Sequence, residues 1–376
     1  MAVPAPTAST SVPVPAAAKP VLYHCISRVV DRRFVFETTE KEKLRTLMRM
    51  YENFTGNRVL SYCFMSNHIH LLLEITPPPP GGLSDEELLA RLRHIWTEAD
   101  VAAVAKELAE ARAAISADQA KNGDAHVRAI HERFTWRMHD LSQFMKSFLQ
   151  RYTQWHNKRH ERSGHLWEDR FKSVIIEDGV ASRTIAAYID LNPVRAGIVT
   201  DPADYRWSSY GEAIGGGSKG NGKKARAGIV RAMRAHRGTA ADDFYWKDDV
   251  AKEYLKLLLL GAGETIEERV DRCGKTVRIK KRKGMSVDEL QAARERLREA
   301  EEKRLSEIPY GKMLRCRLRY FTDGAVIGSK EFVDAAFDAA RARFGPRRKD
   351  GARKLKGAAT PAAGVIWSLR DLRKDT

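Results

Sequence analysis

The chain has 376 residues, 43% of them hydrophobic, which is more length and apolar content than one average domain needs. Lys and Arg number 66 against 49 Asp and Glu, a net charge of +17 that favours a polyanionic partner and leaves the fold open. Four scattered cysteines without a CxxC spacing argue against a disulfide scaffold or a zinc ribbon, and no apolar run reaches membrane-spanning length.

Residues 1–20 are rich in Pro, Ala and Ser, offer little to bury and read as a disordered tail. They lack the basic start and apolar core of a secretion signal, so a cytoplasmic setting is expected. Residues 21–30 (VLYHCISRVV) read as a strand, and residues 39–54 as a helix with Leu44, Leu47, Met48 and Tyr51 on one face. Residues 58–64 form a second strand, and MSN connects it tightly to a third. In that third strand Ile69, Leu71 and Leu73 share one face, while His68, His70, Leu72 and Glu74 share the other. Strand, helix, strand, strand is the first part of a split βαβ arrangement. The run from Pro77 to Gly82 ends the third strand, and residues 84–120 continue as an Ala-, Glu- and Arg-rich helical section, an insertion spanning about 76–135.

Residues 139–157 form the next helix, with Leu141, Phe144, Phe148, Leu149 and Tyr152 as its apolar stripe, and residues 164–177 read as a turn and a fourth strand. The expected class is therefore α+β, a ferredoxin-like four-stranded antiparallel sheet with packed helices. Residues 182–192 supply a covering helix capped by Ser182 and stopped at Pro193, with Tyr188 and Asn192 one turn apart. Trp207 and Tyr210 close the domain, giving a unit of 21–212. Residues 213–229 are glycine-rich and basic, and read as a linker. Residues 230–376 read as a mainly helical accessory region. It contains a capping box at residues 286–289 ahead of a helix to about 308, an alternating stretch at 313–321, a helix at 329–344 and a basic end at 346–356. A fragment ending near residue 211 is expected to keep strand cleavage and to bind its DNA less tightly.

Two imidazoles on one strand face can hold a divalent metal if a third ligand arrives from elsewhere; a packed or surface histidine pair is the plainer alternative. A tyrosine hydroxyl attacks phosphorus usefully when metal or cations polarise the phosphate, and a helix is a rigid mount for it. Tyr188 fits that description, with Asn192 placed to offer an amide oxygen to the same ion; a half-buried tyrosine and a helix-ending asparagine are the plainer alternatives. Glu74 shares the histidine face as another ligand or a solvated carboxylate. Cys63 suggests zinc only weakly, because a fourth ligand at standard spacing is missing. Mg²⁺ or Mn²⁺ suits a phosphoryl reaction with mixed N and O ligands.

The stretch from Asn67 to Leu71, preceded by SYCFM, resembles the histidine–hydrophobe–histidine motif of the single-tyrosine transposases of the IS200-like group. The stretch from Tyr188 to Gly197 is similar to the tyrosine-helix signature of the subgroup associated with repetitive extragenic palindromes. GHLWEDRFKS at 164–173 and WSSY at 207–210 resemble two further motifs of that subgroup. The resemblance covers about residues 20–212 and departs from the family at the insertion and after residue 212. It implies His68, His70 and Asn192 as metal ligands and Tyr188 as nucleophile. It also implies cleavage and rejoining of single-stranded or hairpin DNA through a 5′-phosphotyrosine, in a cytoplasmic, DNA-associated protein that is either a homodimer or a monomer. Arg162, Arg170, Lys172 and Arg195 are expected to contact DNA phosphates, and Trp167 to stack a base or pack in the core. A non-catalytic nucleic-acid-binding module and a water-using metal-dependent phosphodiesterase are the competing classes.

Overall fold

The computed structural model describes residues 20–116, 123–217, 219–234, 246, 250–262, 321, 324–344, 348–354 and 366–370. The tail at 1–19, the capping-box helix and most of the alternating stretch at 313–321 lie outside the described residues.

Strands β1 (Val21–Arg28), β2 (Arg58–Phe64), β3 (His68–Ile75) and β4 (Lys172–Ile176) lie in the order β2-β3-β1-β4, every neighbouring pair antiparallel. Alternation along them sends Cys25, Tyr62, Phe64, Ile69, Leu71 and Leu73 to one face. There they meet helices α1 (Thr38–Thr55) and α5 (Leu141–Arg159) through Leu44, Leu47, Met48, Phe144, Phe148 and Tyr152. Gly56 in the left-handed conformation ends α1, and Asp140 caps α5 by accepting from the Gln143 amide at 2.7 Å.

The insertion folds as α2 (Asp85–Leu92), α3 (Glu98–Ser116) and α4 (Gly123–Thr135). Leu88, Leu92, Val104, Leu108, Ile130 and Phe134 join the core formed by α1 and α5, so it extends that layer. Ser84 and Glu87 form a reciprocal capping box at its start.

The opposite sheet face carries Leu22, Leu72, Val174 and Ile176, and α6 (Val180–Asp190) covers it with Ile185, Tyr188 and Ile189. Ser182 lies in the first turn of α6 rather than at its cap: its Oγ accepts from the Gly179 amide at 3.1 Å and donates to the Ala232 carbonyl at 3.0 Å. The chain continues through Leu191 into the short helix α7 (Asn192–Arg195), so Pro193 sits in its first turn, where a missing N–H costs nothing. The WSSY segment docks on the end of β2, with Phe64 N donating to Trp207 O at 3.0 Å, and leads into α8 (Ser209–Gly215).

Two expectations are corrected. Residues 221–234, placed partly in a flexible linker, form helix α9 (Asn221–Arg234), which lies against β2. Its glycines serve close approach rather than mobility: a Cβ on Gly228 would stand 2.5 Å from the Val59 carbonyl oxygen. Ile229 and Val230 are buried there, each contributing about 1.5–3 kcal/mol. Arg231 reaches Glu74 at 2.8 Å and Asp178 at 3.0 Å, so Glu74 is neither solvated nor free to ligate an ion, but a buried half of an ion pair.

The second correction concerns the sheet and the region after 230. Among the described residues the sheet has seven strands in the order β2-β3-β1-β4-β5-β7-β6. Strand β5 (Gly324–Gly328) pairs parallel with β4, and β7 (Trp367–Arg370) and β6 (Arg353–Lys354) follow antiparallel. Helices α10 (Val250–Ala262) and α11 (Lys330–Ala339) complete this part. The alternating Ala325, Val326 and Ile327 are too short a run to stand out beside the helical sequence around them, and the exposed edge of β4 selects them by pairing.

Candidate active site

Register sets one wall. Opposite residues in an antiparallel pair share a face, so Arg28 stands beside His68, Ile26 beside His70 and also beside Lys172, and Cys63 beside His70. His24, two residues before Ile26, points the same way. His70 is buried and His68 half-exposed, their ring centroids 5.0 Å apart. His24 Nε2 lies 3.0 Å from His70 Nδ1, and His24 Nδ1 lies 2.7 Å from the Phe321 carbonyl oxygen. Burial pushes the His24 imidazole down to about 4, and burial together with its histidine and arginine neighbours holds His70 well below the usual range. Both rings are therefore neutral bases at neutral pH.

Helix α6 supplies the second wall. Tyr188 is only 4% exposed, and its ring stands edge-on to His24 at 6.2 Å and to His70 at 6.3 Å. The Phe321 ring closes on it at 4.8 Å, and the Arg195 guanidinium lies 4.0 Å from its centroid while donating to the Tyr188 carbonyl. Asn192, half-exposed and one turn on, donates through Nδ2 to the Tyr188 and Ile189 carbonyls, each at 3.2 Å, which leaves its Oδ1 as the acceptor end.

The His68–His70 pair and the Tyr188 ring thus meet, and Asn192 is tied to them through the Tyr188 backbone carbonyl. Among the described residues, no three His, Cys, Asp or Glu side chains converge to hold an ion. Imidazole nitrogens such as those of His68 and His70, taken with an amide oxygen, are donor types that suit Mn²⁺ or Mg²⁺ better than a four-ligand zinc site. Cys63 stays out of it: its buried thiol is pushed far above its ordinary range and rests on Met65 Sδ at 3.6 Å.

The expected DNA-contacting residues divide. Arg170 and Lys172 are exposed, and Arg162 is half-exposed with Nη2 on the His165 carbonyl at 3.2 Å. The loop carrying Arg170 is tied to the end of β1 by Glu168 N to Arg28 O at 2.8 Å and Val30 N to Leu166 O at 3.0 Å. Arg28, Arg170 and Lys172 therefore gather at the His68 end of the sheet. A groove beside this loop is lined by Gln150, Gln154, Asn157 and Arg170. Arg195 is buried under Tyr188, so it is not a surface phosphate contact in this conformation. Trp167 is half-buried against Phe36 and Tyr152 and donates Nε1 to Thr153 Oγ1 at 2.9 Å, which makes it a packing residue.

Sequence reasoning missed His24, Arg28, Phe321 and Asp190. The first two were visible as the polar members of an alternating strand, His24-x-Ile26-x-Arg28, on the face that becomes the site. Asp190 is fully buried, accepting from Tyr254 Oη at 2.6 Å and the Tyr210 amide at 2.9 Å, and desolvation pushes its carboxyl up to about 7. A carboxyl raised by folding stabilises fully below its unfolded value near 4, and that stability is lost as pH rises through 7. The difference in urea-unfolding free energy between the native chain and Asp190→Asn is expected to change by up to about 4 kcal/mol across that window. A difference that is flat with pH would remove Asp190 as a titrating latch between α6, α8 and α10.

Residues 18–80 match the model of the family described as transposase IS200 like. The match contains His68 and His70 and stops short of Tyr188. A solved structure described as the REP-associated tyrosine transposase bound to a REP hairpin aligns with 54% of this chain and 83% of its own, at 13% identity and a TM-score of 0.32. No curated protein matches the chain.

Proposed function

We propose, on the premise that residues 18–80 belong with the IS200-like transposases, that this chain cuts and rejoins single-stranded DNA through a 5′-phosphotyrosine on Tyr188. The observation that carries the reading is the meeting of α6 with β3, which sets the Tyr188 ring 6.3 Å from His70. The fit to the subgroup associated with repetitive extragenic palindromes rests on the motifs at 164–173 and 188–197, and it makes a folded hairpin the natural substrate. The order β2-β3-β1-β4 supports a ferredoxin-like core beneath the added strands.

His68 and His70, with the Asn192 amide oxygen, are the residues that would hold Mg²⁺ or Mn²⁺. Such an ion, when bound, supplies positive charge to the phosphate oxygens as charge develops on them. Tyr188 Oη forms the new bond to phosphorus, and the bond from phosphorus to the 3′ oxygen breaks. The proton lost by the phenol is balanced by the one gained at the new 3′-OH. A later 3′-OH reverses the exchange, so the phosphodiester bond energy is retained in the protein–DNA link. Arg28, Arg170 and Lys172 orient the backbone at the half-exposed His68 side, from which the strand approaches. The 66 Lys and Arg residues draw it in.

The test is incubation of the full chain with hairpin-bearing single-stranded DNA and Mn²⁺, followed by denaturing electrophoresis and peptide mapping. A DNA adduct on Tyr188 that disappears with chelator is expected. Chelator-sensitive cleavage without an adduct would favour attack by water, and hairpin binding without cleavage would favour a binding module.

A further inference from the structure

Among the described residues, Phe34 is the most exposed large hydrophobic side chain, at 80%. A lone exposed apolar residue is ordinary on a protein surface. This one is set apart by the frame that holds it out. Two residues on, Phe36 is buried and its ring packs on Tyr152 at 5.6 Å and on Trp167 at 5.7 Å, so the segment is anchored in the core. Val35 N and Phe36 N both donate to the Ser66 carbonyl, at 3.1 and 3.0 Å, and Asn67 Nδ2 donates to the Arg32 carbonyl at 2.9 Å. The turn that makes these bonds leads directly into His68. On the other side of the ring, Asp31 and Arg32 hold φ of 57° and 55°, a left-handed conformation uncommon for a residue such as arginine. Backbone of this kind persists where the surrounding contacts over-determine it, and it clusters at ligand clamps. The Phe34 ring is thus fixed at the rim of the His68 end of the sheet, with most of it open to solvent.

The charge around the ring selects its occupant. Arg32 and Arg33 are exposed immediately before it, and Arg28, Arg170 and Lys172 are exposed at the same end of the sheet. These cations outnumber the exposed carboxylates of Asp31, Glu37, Glu168 and Asp169, and Asp169 is turned onto the Arg170 amide at 2.7 Å. The 164–170 loop is held against the same strand end by Val30 N on the Leu166 carbonyl at 3.0 Å. Guanidinium groups match phosphate oxygens, and an aromatic face matches the π-face of a base. A ligand that offers both is a nucleotide. In a duplex each base is already stacked on its neighbours, so a side chain of this kind takes a base from an unpaired strand.

We propose that Phe34 is a stacking platform for one unpaired base of the DNA strand, with the Arg33 guanidinium holding an adjoining phosphate. This inference rests on the proposed reading of the chain as an enzyme of single-stranded DNA, and it adds a residue that sets the register of the strand. A base stacked at a fixed rim position determines which phosphate lies across the His68 side of the site. The frame explains why a rigid loop is used: a platform that moved would stack a base without fixing the phosphate next to it.

The test is binding of the full chain to a fluorescent hairpin oligonucleotide with a single-stranded flank, followed by anisotropy in chelator so that no cleavage intervenes. Phe34→Ala is expected to weaken binding about tenfold, with an unchanged thermal midpoint because the ring is exposed. Phe34→Trp should match or exceed native affinity. Phe34→Leu keeps apolar bulk without a π-face and should lose nearly as much as the alanine variant. Oligonucleotides with one abasic site at successive flank positions locate the base: at one position the native chain loses about tenfold, and Phe34→Ala loses nothing further there. Arg33→Ala is expected to reduce the slope of log affinity against log salt by about 0.7, and Phe34→Ala to leave that slope unchanged. Native affinity in Phe34→Ala, or equal losses at every abasic position in both proteins, overturns the platform. Reduced self-association of Phe34→Ala with unchanged DNA affinity would place the ring between copies of the chain, and also overturns it. Coupling of Phe34 to one base in a protein that forms no adduct on Tyr188 would defeat the chemistry of the proposed function and leave the platform standing. An adduct on Tyr188 together with native affinity in Phe34→Ala would do the reverse.

Discussion

Replacing Tyr188 with Phe is expected to abolish the protein–DNA adduct and to reduce strand cleavage at least about a thousandfold, some 4 kcal/mol in the barrier, while hairpin binding stays within a few fold of native. The substitution deletes one oxygen and keeps the ring, which is the part that touches His24, His70, Phe321 and the Arg195 guanidinium. Stability should therefore change by no more than about 1 kcal/mol. The same chelator-sensitive assay and a gel-shift titration with a hairpin oligonucleotide measure both quantities. Cleavage that survives in the Phe variant would transfer the attack to water, a reading that the low exposure of Tyr188 keeps in play. An adduct mapped to Tyr210 or Tyr205 is disfavoured on geometry, since Tyr205 Oη is committed to the Phe64 carbonyl at 2.6 Å and Tyr210 packs on Tyr254.

The placement of Tyr188 on a helix that covers the sheet was legible because its signals are local. Its helix, its partner four residues on and the proline that follows all lie within one short stretch, and period-2 alternation in β3 put His68 and His70 on one face without any knowledge of neighbours. The helices on the far face were legible for the same reason, because the apolar stripes of α1 and α5 repeat at helical spacing. The failures are all non-local. His24 acquires its meaning from β1–β3 register and from a carbonyl at residue 321, and neither is encoded near residue 24. The segment 213–229 was misread because composition does not distinguish a glycine that frees the chain from one that lets two backbones touch. Gly222 and Gly228 are of the second kind. Arg231, just beyond that segment, pairs with carboxylates from β3 and from the turn before α6, partners visible only after the sheet has formed. Short strands such as β5 carry too few residues for a period to declare itself, and an unpaired neighbouring edge recruits them.

These corrections reverse the expectation that a fragment ending near residue 211 keeps strand cleavage. A chain stopped at Glu212 is expected to lose cooperative folding, with collapsed dispersion in its amide NMR spectrum and no sharp thermal transition. The truncation strips Ile229, Val230, Tyr254, Leu258, Phe321 and Ile327 from the core against α6 and β2, each fully or almost fully buried. At about 1.5–3 kcal/mol per side chain, that loss equals the whole stability of an ordinary domain, about 5–15 kcal/mol. It also removes Arg231 from Glu74, which is 1% exposed, leaving, among the described residues, the half-exposed Arg58 at 3.3 Å to balance a buried carboxylate. The edge of β4 is left open where β5 had paired, which adds an aggregation hazard. Tyr188 loses the Phe321 ring and His24 loses its carbonyl, so whatever compact state remained would have a loosened site. A soluble 20–212 fragment that unfolds cooperatively and still forms the Tyr188 adduct would show that the residues after 212 are an appendage, and would separate the site from the strands and helices that close over it.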